Sequence, residues 1–346
     1  MKNVFRIVSV FVGTVIGAGF ASGKELLTFF AVYGYKSFYG ILICGAFFAL
    51  LGTVVLCKIE RLGITNYNEY FSDISGRWLT VLFEIVISLF MLCSFSVMIA
   101  GTGSMLREKL GWSLMAGACI MCVSAFIIML YGVEGITKAN MVMAPLLVAG
   151  MVFFAFYILV FEHAQAFLHL ESWGRALRDN WLSSALLYAS YNTITLSVIL
   201  TTLHKYVKSK RTALAAGSLS AIILCVVMVL LLGVIFLFYN QVKMLEIPFL
   251  YIAAVNSRTV EMIYLAVMFL AMLTTAVSSG FGVISILAEK TGFSVKPLCV
   301  VVCIAAYLLS CAGFGVLVSK VYAFFGYFGL FIAVMILIDG LRYLKK

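Results

Sequence analysis

Charge is scarce in this 346-residue chain. Only 11% of its residues are Asp, Glu, Lys or Arg, and 64% are hydrophobic. A soluble globular domain carries about 25% charged residues, so too little polar surface is available here to face water. Disorder is excluded too, because it needs low hydrophobicity. The chain also lacks the ten-residue alternation of polarity that builds an outer-membrane barrel; its apolar runs last twenty residues or more. Proline is limited to Pro145, Pro248 and Pro297, so most helices run without a proline break. The three histidines, His163, His169 and His204, lie in or beside loops without metal-ligand spacing. The nine cysteines are scattered through apolar runs, and only Cys119 and Cys122 make a C-x-x-C. With no second pair and no polar neighbours, they read as small buried hydrophobes rather than a zinc or redox site. No small-residue cleavage site follows the first apolar run, which therefore reads as a retained span. What remains is an all-α polytopic membrane protein.

The net charge of +10 belongs to helix ends facing lipid headgroups, not to nucleic acid. A span needs about 20 apolar residues. Ten such segments are expected, roughly 4–33, 38–58, 78–106, 111–131, 141–161, 183–203, 213–239, 259–288, 296–313 and 319–341. Residues 59–77 have room for a short interfacial helix, and 240–258 look like a re-entrant or capping hairpin. Lys/Arg placement sets the orientation. One side collects fifteen: Lys2, Arg6, Lys58, Arg61, Arg77, Lys138, Lys205, Lys208, Lys210, Arg211, Lys290, Lys296, Arg342, Lys345 and Lys346. The other has eight: Lys36, Arg107, Lys109, Arg175, Arg178, Lys243, Arg258 and Lys320. Both termini are therefore expected in the cytoplasm.

The first span is too long and too rich in glycine to be one helix. Gly17, Gly19 and Gly23 fall within seven residues, each weakening a helix by about 1 kcal/mol relative to alanine. The sixth span carries a polar run, Tyr188 to Thr193, at its centre, and Gly17 and Ser190 are half the chain length apart. Five spans per half make the second half enter from the opposite side. This predicts a single transmembrane domain of two inverted repeats, about 4–161 and 183–341, with helices 1 and 6 broken. Paired broken helices in inverted halves mark the central site of a transporter.

A break near Ile16 frees carbonyls from Gly13 to Ile16 for a cation, and a restart near Ser22 and Gly23 offers N–H groups to an anion. Thr275, Ser278 and Ser279 share one helix face in span 8, and hydroxyl plus carbonyl oxygens suit Na⁺. Around the first break, Gly17, Ala18, Gly19, Phe20, Ser22 and Gly23 are candidate substrate contacts, with Tyr188, Tyr191 and Asn192 at the second. Lys24, Glu25 and Glu84 are ionisable groups within spans and thus candidates for gating or proton coupling. The fifth expected span has no acid or lysine.

Gly13-x-x-Ile16-Gly17-x-Gly19 with Thr275-x-x-Ser278-Ser279 resembles the sodium-site signature of the amino acid–polyamine–organocation superfamily, whose transporters share a five-plus-five inverted-repeat fold. More closely, VGTVIGAGFASGKE at 12–25 and YASYNT at 188–193 resemble the YkvI-like bacterial membrane proteins, over essentially the whole chain. The resemblance implies carbonyl ligands from Gly13 and Ile16, hydroxyl ligands from span 8, and an amino acid or related amine as solute. It departs at Phe20, where amino-acid-binding relatives often carry a polar residue. The expected function is Na⁺-coupled symport of a small polar or zwitterionic solute, with no enzymatic activity and no cofactor beyond the coupling ion. Proton coupling through Glu25 or Glu84, and a ligand-sensing receptor subunit that carries no flux, are the alternatives. Spore-germination receptor subunits resemble the same ten-span plan.

Overall fold

The computed structural model describes residues 1–161 and 180–344, and no strand occurs among them. His163, His169, Arg175, Arg178, Lys345 and Lys346 lie outside the described residues. The first expected span is three helices, α1 (Lys2–Val15), α2 (Ala18–Ser22) and α3 (Lys24–Phe29). Then follow α4 (Lys36–Leu62), α5 (Tyr67–Leu110), α6 (Leu114–Met129), α7 (Gly132–Phe161) and α8 (Trp181–Thr202). After them come α9 (Lys210–Leu237), the short α10 (Tyr239–Val242) and α11 (Pro248–Asn256), α12 (Arg258–Thr291), α13 (Val295–Ser310) and α14 (Phe314–Leu344). Every expected span thus has helix at its place. Among the described residues five stretches are long and apolar enough to cross a membrane: Lys36–Leu62, Leu79–Leu110, Gly132–Val160, Lys210–Leu237 and Arg258–Thr291.

The first break forms where glycine permits it. α1 ends at Ile16, Gly17 is extended (φ −106°, ψ −165°), and Gly23 takes the left-handed conformation (φ 84°) between α2 and α3. A side chain at Gly23 would be strained there and would also meet the Phe249 ring at 2.9 Å. The second expected break is absent: α8 runs unbroken from Trp181 to Thr202. It contains neither glycine nor proline. Its polar residues instead bond to their own helix: Ser190 Oγ to Leu186 O at 2.5 Å, Asn192 Nδ2 to Tyr188 O at 3.0 Å, and Thr193 Oγ1 to Ala189 O at 2.9 Å. Back-bonding to the i−4 carbonyl lets an apolar helix carry polar side chains without unwinding.

The interfacial helix expected within 59–77 is also absent. α4 continues to Leu62, Gly63 turns it at φ 64°, and α5 then runs for 44 residues. Asn66 Oδ1 accepts from Glu69 N at 2.8 Å, while the Glu69 carboxylate accepts from Thr65 N at 2.8 Å. This reciprocal cap starts the helix at Tyr67, before the membrane is reached. The fifth span likewise begins earlier than expected, at Gly132, and so takes in Asn140.

α5 and α12 form an antiparallel pair joined along its length. Lys109 meets Glu261 at 2.8 Å, Thr102 Oγ1 meets Met272 Sδ at 3.2 Å, Ser279 Oγ meets Ser94 Oγ at 3.2 Å, and Lys290 meets Glu84 at 3.1 Å. Arg6 stacks over Tyr206 just past the end of α8, and Lys58 near the end of α4 pairs with Asp339 of α14 at 2.6 Å. α4 in turn packs against the turn at His204–Tyr206. These contacts bring the start of α1 and the end of α14 to the same end of the bundle. On α13, Val300, Val301, Ile304 and Leu308 are exposed while Cys299, Val302 and Ala306 are buried. A helix apolar on both faces belongs in lipid.

Candidate functional site

The break in span 1 faces α12. Thr275 Oγ1 lies 3.1 Å from Gly13 O, 3.1 Å from Ile16 O and 3.4 Å from Thr14 O. Thr14 Oγ1, which donates to Val10 O at 2.7 Å, lies 3.0 Å from Ser278 Oγ. One hydroxyl proton thus sits among three main-chain acceptors whose helix has stopped, a surplus of oxygen lone pairs that a small cation would satisfy. Ser279 turns away, to Ser94 on α5. At 100° per residue, Ser278 and Ser279 stand about 60° and about 40° to either side of Thr275. One faces α1 and the other α5, so the expected hydroxyl pair does not converge on a single point.

Beside these oxygens is a cavity of about 20 Å³. That is room for one water molecule or a monatomic ion, not for an organic solute. Its wall includes Gly17, Glu25, Tyr191, Asn192 and Thr275 among the expected residues, and Phe90, Ser94, Met98 and Thr195 besides. Among the described residues no lysine, arginine or histidine lines it. Glu25, 5% exposed, has the Tyr191 side chain as its hydrogen-bond neighbour. Its carboxyl lies so close to Gly19 that a Cβ there would collide with it.

Several expected residues lie elsewhere. The N–H groups thought to be open at the restart are taken: Gly23 N donates to Phe20 O at 3.0 Å and Lys24 N to Ser22 Oγ at 3.2 Å. The carboxylate of Glu25, in the first turn of α3, is the anion at that helix end. Lys24 points outward and donates to Leu245 O at 2.9 Å. Tyr264 Oη donates to Ala21 O at 2.8 Å, and Phe249 of α11 covers Gly23. The segment 240–258 therefore caps α2 and α3. Tyr188 leaves the cavity for an aromatic cluster with Phe29, Phe30 and Phe48. Ala18, Phe20, Ser22 and Gly23 are buried off the cavity wall. Glu84 is paired with Lys290, ten residues from the level of Ser94, about 15 Å along α5. It belongs to a different part of the molecule.

Asn140 is the residue the sequence reading missed. It is fully buried, its Oδ1 has no hydrogen-bond partner among the described residues, and it occupies the space a Cβ on Gly13 would need. A lone amide in an apolar helix was the signal, hidden by a span boundary drawn one residue too late. Met98, whose Sδ accepts from Ala18 N at 3.3 Å, gave no signal, because methionine in an apolar run is indistinguishable from packing. Among the described residues no group of three or more His, Cys, Asp and Glu is placed to hold a metal ion.

The match to a family model covers residues 3–315, and the model is that of a spore germination protein, the spore permease. The chain belongs to this family. It is 29% identical over 333 residues to the "Uncharacterized membrane protein YkvI" of Bacillus subtilis (strain 168), spanning 94% of this chain and 92% of the relative. It is 25% identical over 342 residues to "Uncharacterized protein YyaD" of the same organism, spanning 94% of each. Among solved structures it is similar to a substrate-bound, outward-open Na⁺-coupled sialic acid symporter, with a TM-score of 0.74 and 14% identity over 95% of this chain and 77% of the other. MhsT in complex with L-phenylalanine gives 0.68 and 18%, over 88% and 78%. An Eremococcus coleocola manganese transporter gives 0.63 and 13%, over 99% and 76%. The spore permease chain thus shares the fold of these solved proteins, and none of them is described as an enzyme.

Proposed function

We propose that this permease is a secondary transporter of a small polar solute carrying an ammonium group, an amino acid or related amine, coupled to Na⁺. The observation that carries the reading is the placement of Thr275 Oγ1 within 3.1 Å of both Gly13 O and Ile16 O at the end of α1. Na⁺ would replace the single hydroxyl proton among these carbonyls, with Ser278 completing the set and Ser279 joining if α12 turns slightly. Glu25, the one charged group in the cavity wall among the described residues, would meet the ammonium. The Na⁺-coupled symporter and the L-phenylalanine complex among the structural neighbours support this class of solute and ion. A cavity of about 20 Å³ requires α2, α3 and their cap to move before a solute enters, as alternating access demands. The two halves, about 4–161 and 183–341, would be the inverted repeats, in a bacterial cytoplasmic membrane with both termini inside.

Thermal unfolding in Na⁺ and in K⁺ at equal ionic strength tests the ion site. A ligand at about 100 times its Kd stabilises by ~2.7 kcal/mol. Na⁺ is expected to raise the unfolding midpoint of the wild type and not of Ser278→Ala/Ser279→Ala. Equal midpoints in the two salts would eliminate sodium coupling.

Two specific observations favour other readings. A buried carboxyl in the cavity wall favours proton coupling through Glu25, and then a pH gradient, not a Na⁺ gradient, would drive flux in proteoliposomes. Membership of the spore germination family favours a ligand-sensing subunit, which would bind an amine without any flux.

A further inference from the structure

A larger cavity lies away from the helix break. It has a volume of about 530 Å³ and lies between the first turns of α5 and the last turns of α12, at the end of the bundle that holds both chain termini. Glu84, Glu289, Lys290, Tyr67 and Asn68 stand in its wall. Lys290 Nζ donates to Glu84 at 3.1 Å, its side chain half exposed while that of Glu84 is 10% exposed. Among the described residues of the wall one cation is thus set against two carboxylates, and Glu289 carries the charge left over. Asn68 hydrogen-bonds to Glu289 through its backbone and its side chain, which holds the carboxylate in place but leaves its charge unbalanced.

The second observation is Tyr67. It is 2% exposed, and its hydroxyl has no hydrogen-bond partner among the described residues. Burial, with Glu84 and Glu289 nearby, pushes its phenol well above the ordinary tyrosine range, so the hydroxyl is a standing donor. A buried donor without an acceptor costs roughly 1–3 kcal/mol. Among the described residues the wall therefore carries an unbalanced negative charge, with a spare donor buried just beneath its surface. A metal ion fits poorly: no group of three His, Cys, Asp and Glu is gathered among the described residues, and the volume exceeds that of any single ion.

We propose that this cavity is a second solute site, for a small organic ammonium ion that also carries an oxygen acceptor, the ammonium on Glu289 and the oxygen accepting from Tyr67 Oη. An amino alcohol is the simplest molecule of this class. The site stands apart from the helix break, so it does not depend on which ion or solute binds there.

The test is the unfolding midpoint of the purified full chain across a concentration series of ethanolamine, ethylamine and potassium chloride, matched in ionic strength. Ethanolamine is expected to stabilise saturably, and ethylamine, which lacks the acceptor, about tenfold more weakly. Tyr67→Phe should reduce ethanolamine to the affinity of ethylamine. With the helix-break carboxylate removed by Glu25→Gln, stabilisation by ethanolamine should persist and stay sensitive to Tyr67→Phe, and Glu25→Gln/Glu289→Gln should abolish stabilisation by both amines. Each variant is compared with itself in potassium chloride, so a lowered starting midpoint does not obscure the result. The proposal is overturned if ethanolamine does no more than potassium chloride, if stabilisation survives Glu25→Gln/Glu289→Gln, or if Glu25→Gln alone removes it and so places the binding at the helix break.

Discussion

Thr275 and Gly19 are where single atoms decide the site. Thr275→Val removes the hydroxyl between Gly13 O and Ile16 O and leaves two buried carbonyls unpaired. The expected cost is roughly 1–3 kcal/mol, read as a lowered unfolding midpoint, with Thr275→Ser close to wild type. If valine proved neutral, the α1–α12 contact would not hold the break together. Gly19 has a different constraint: its α-carbon lies under the Glu25 carboxyl. Gly19→Ala is expected to cost about 1–3 kcal/mol through overpacking, and Gly19→Ala/Glu25→Ala should recover part of it. Additive losses in this cycle would show that the two residues do not touch. Both positions were legible in the sequence, Thr275 by its spacing from Ser278 and Glu25 by a charge next to a glycine run. The partners of Thr275 were not, because a contact between residues about 260 positions apart leaves no local trace.

Elements differ in how they carry polar groups. α1–α3 unwinds at glycine, whereas α8 absorbs Ser190, Asn192 and Thr193 by bonding them to its own carbonyls. Amide hydrogen exchange should therefore be faster over Gly17–Gly23 than over Tyr188–Thr193, whose amides lie inside a continuous helix. Equal rates in the two segments would contradict the asymmetry. The polar run in α8 was visible as a run, but polarity alone does not distinguish a helix that breaks from one that back-bonds. Glycine content does, and the sequence reading weighed half-chain symmetry above it. The cap made by α10 and α11 is different again. Pro248 begins α11, as proline favours the first helical turn, so its start was local information, while its seat on Gly23 was not.

Across the whole molecule, one end is tied by a buried cation. Lys58, fully buried on α4, meets Asp73 of α5 at 2.7 Å and Asp339 of α14 at 2.6 Å, with Tyr70 beneath it at 4.8 Å. Lys58→Met would leave Asp339 uncompensated, which costs roughly 3–5 kcal/mol for a buried pair. Lys58→Met/Asp339→Leu should recover much of that loss in the unfolding midpoint. Failure to recover would mean that the residues hold their places by packing rather than by charge. In the sequence, Lys58 reads only as one of fifteen orienting charges, and nothing there marks Asp339 as its partner. Their pairing depends on α4, α5 and α14 meeting at one corner, and helix ends carry no mark of which other ends they will meet.

Composition and hydropathy by themselves determined a helical membrane protein and the order of its helices, because the membrane excludes unpaired backbone and leaves long apolar helices as the solution. Three glycines in seven residues determined the first break, since conformational freedom is a property of the residue itself. The tertiary structure alone decided that α8 stays whole, that Ser278 and Ser279 face different helices, that Lys24 points to the cap and Glu25 to the cavity, and that Glu84 belongs to another cavity with Tyr67 and Glu289. The physical reason is the same in each case. Which side a group faces depends on helix rotation and on neighbours distant in sequence, and these are set only when the helices pack.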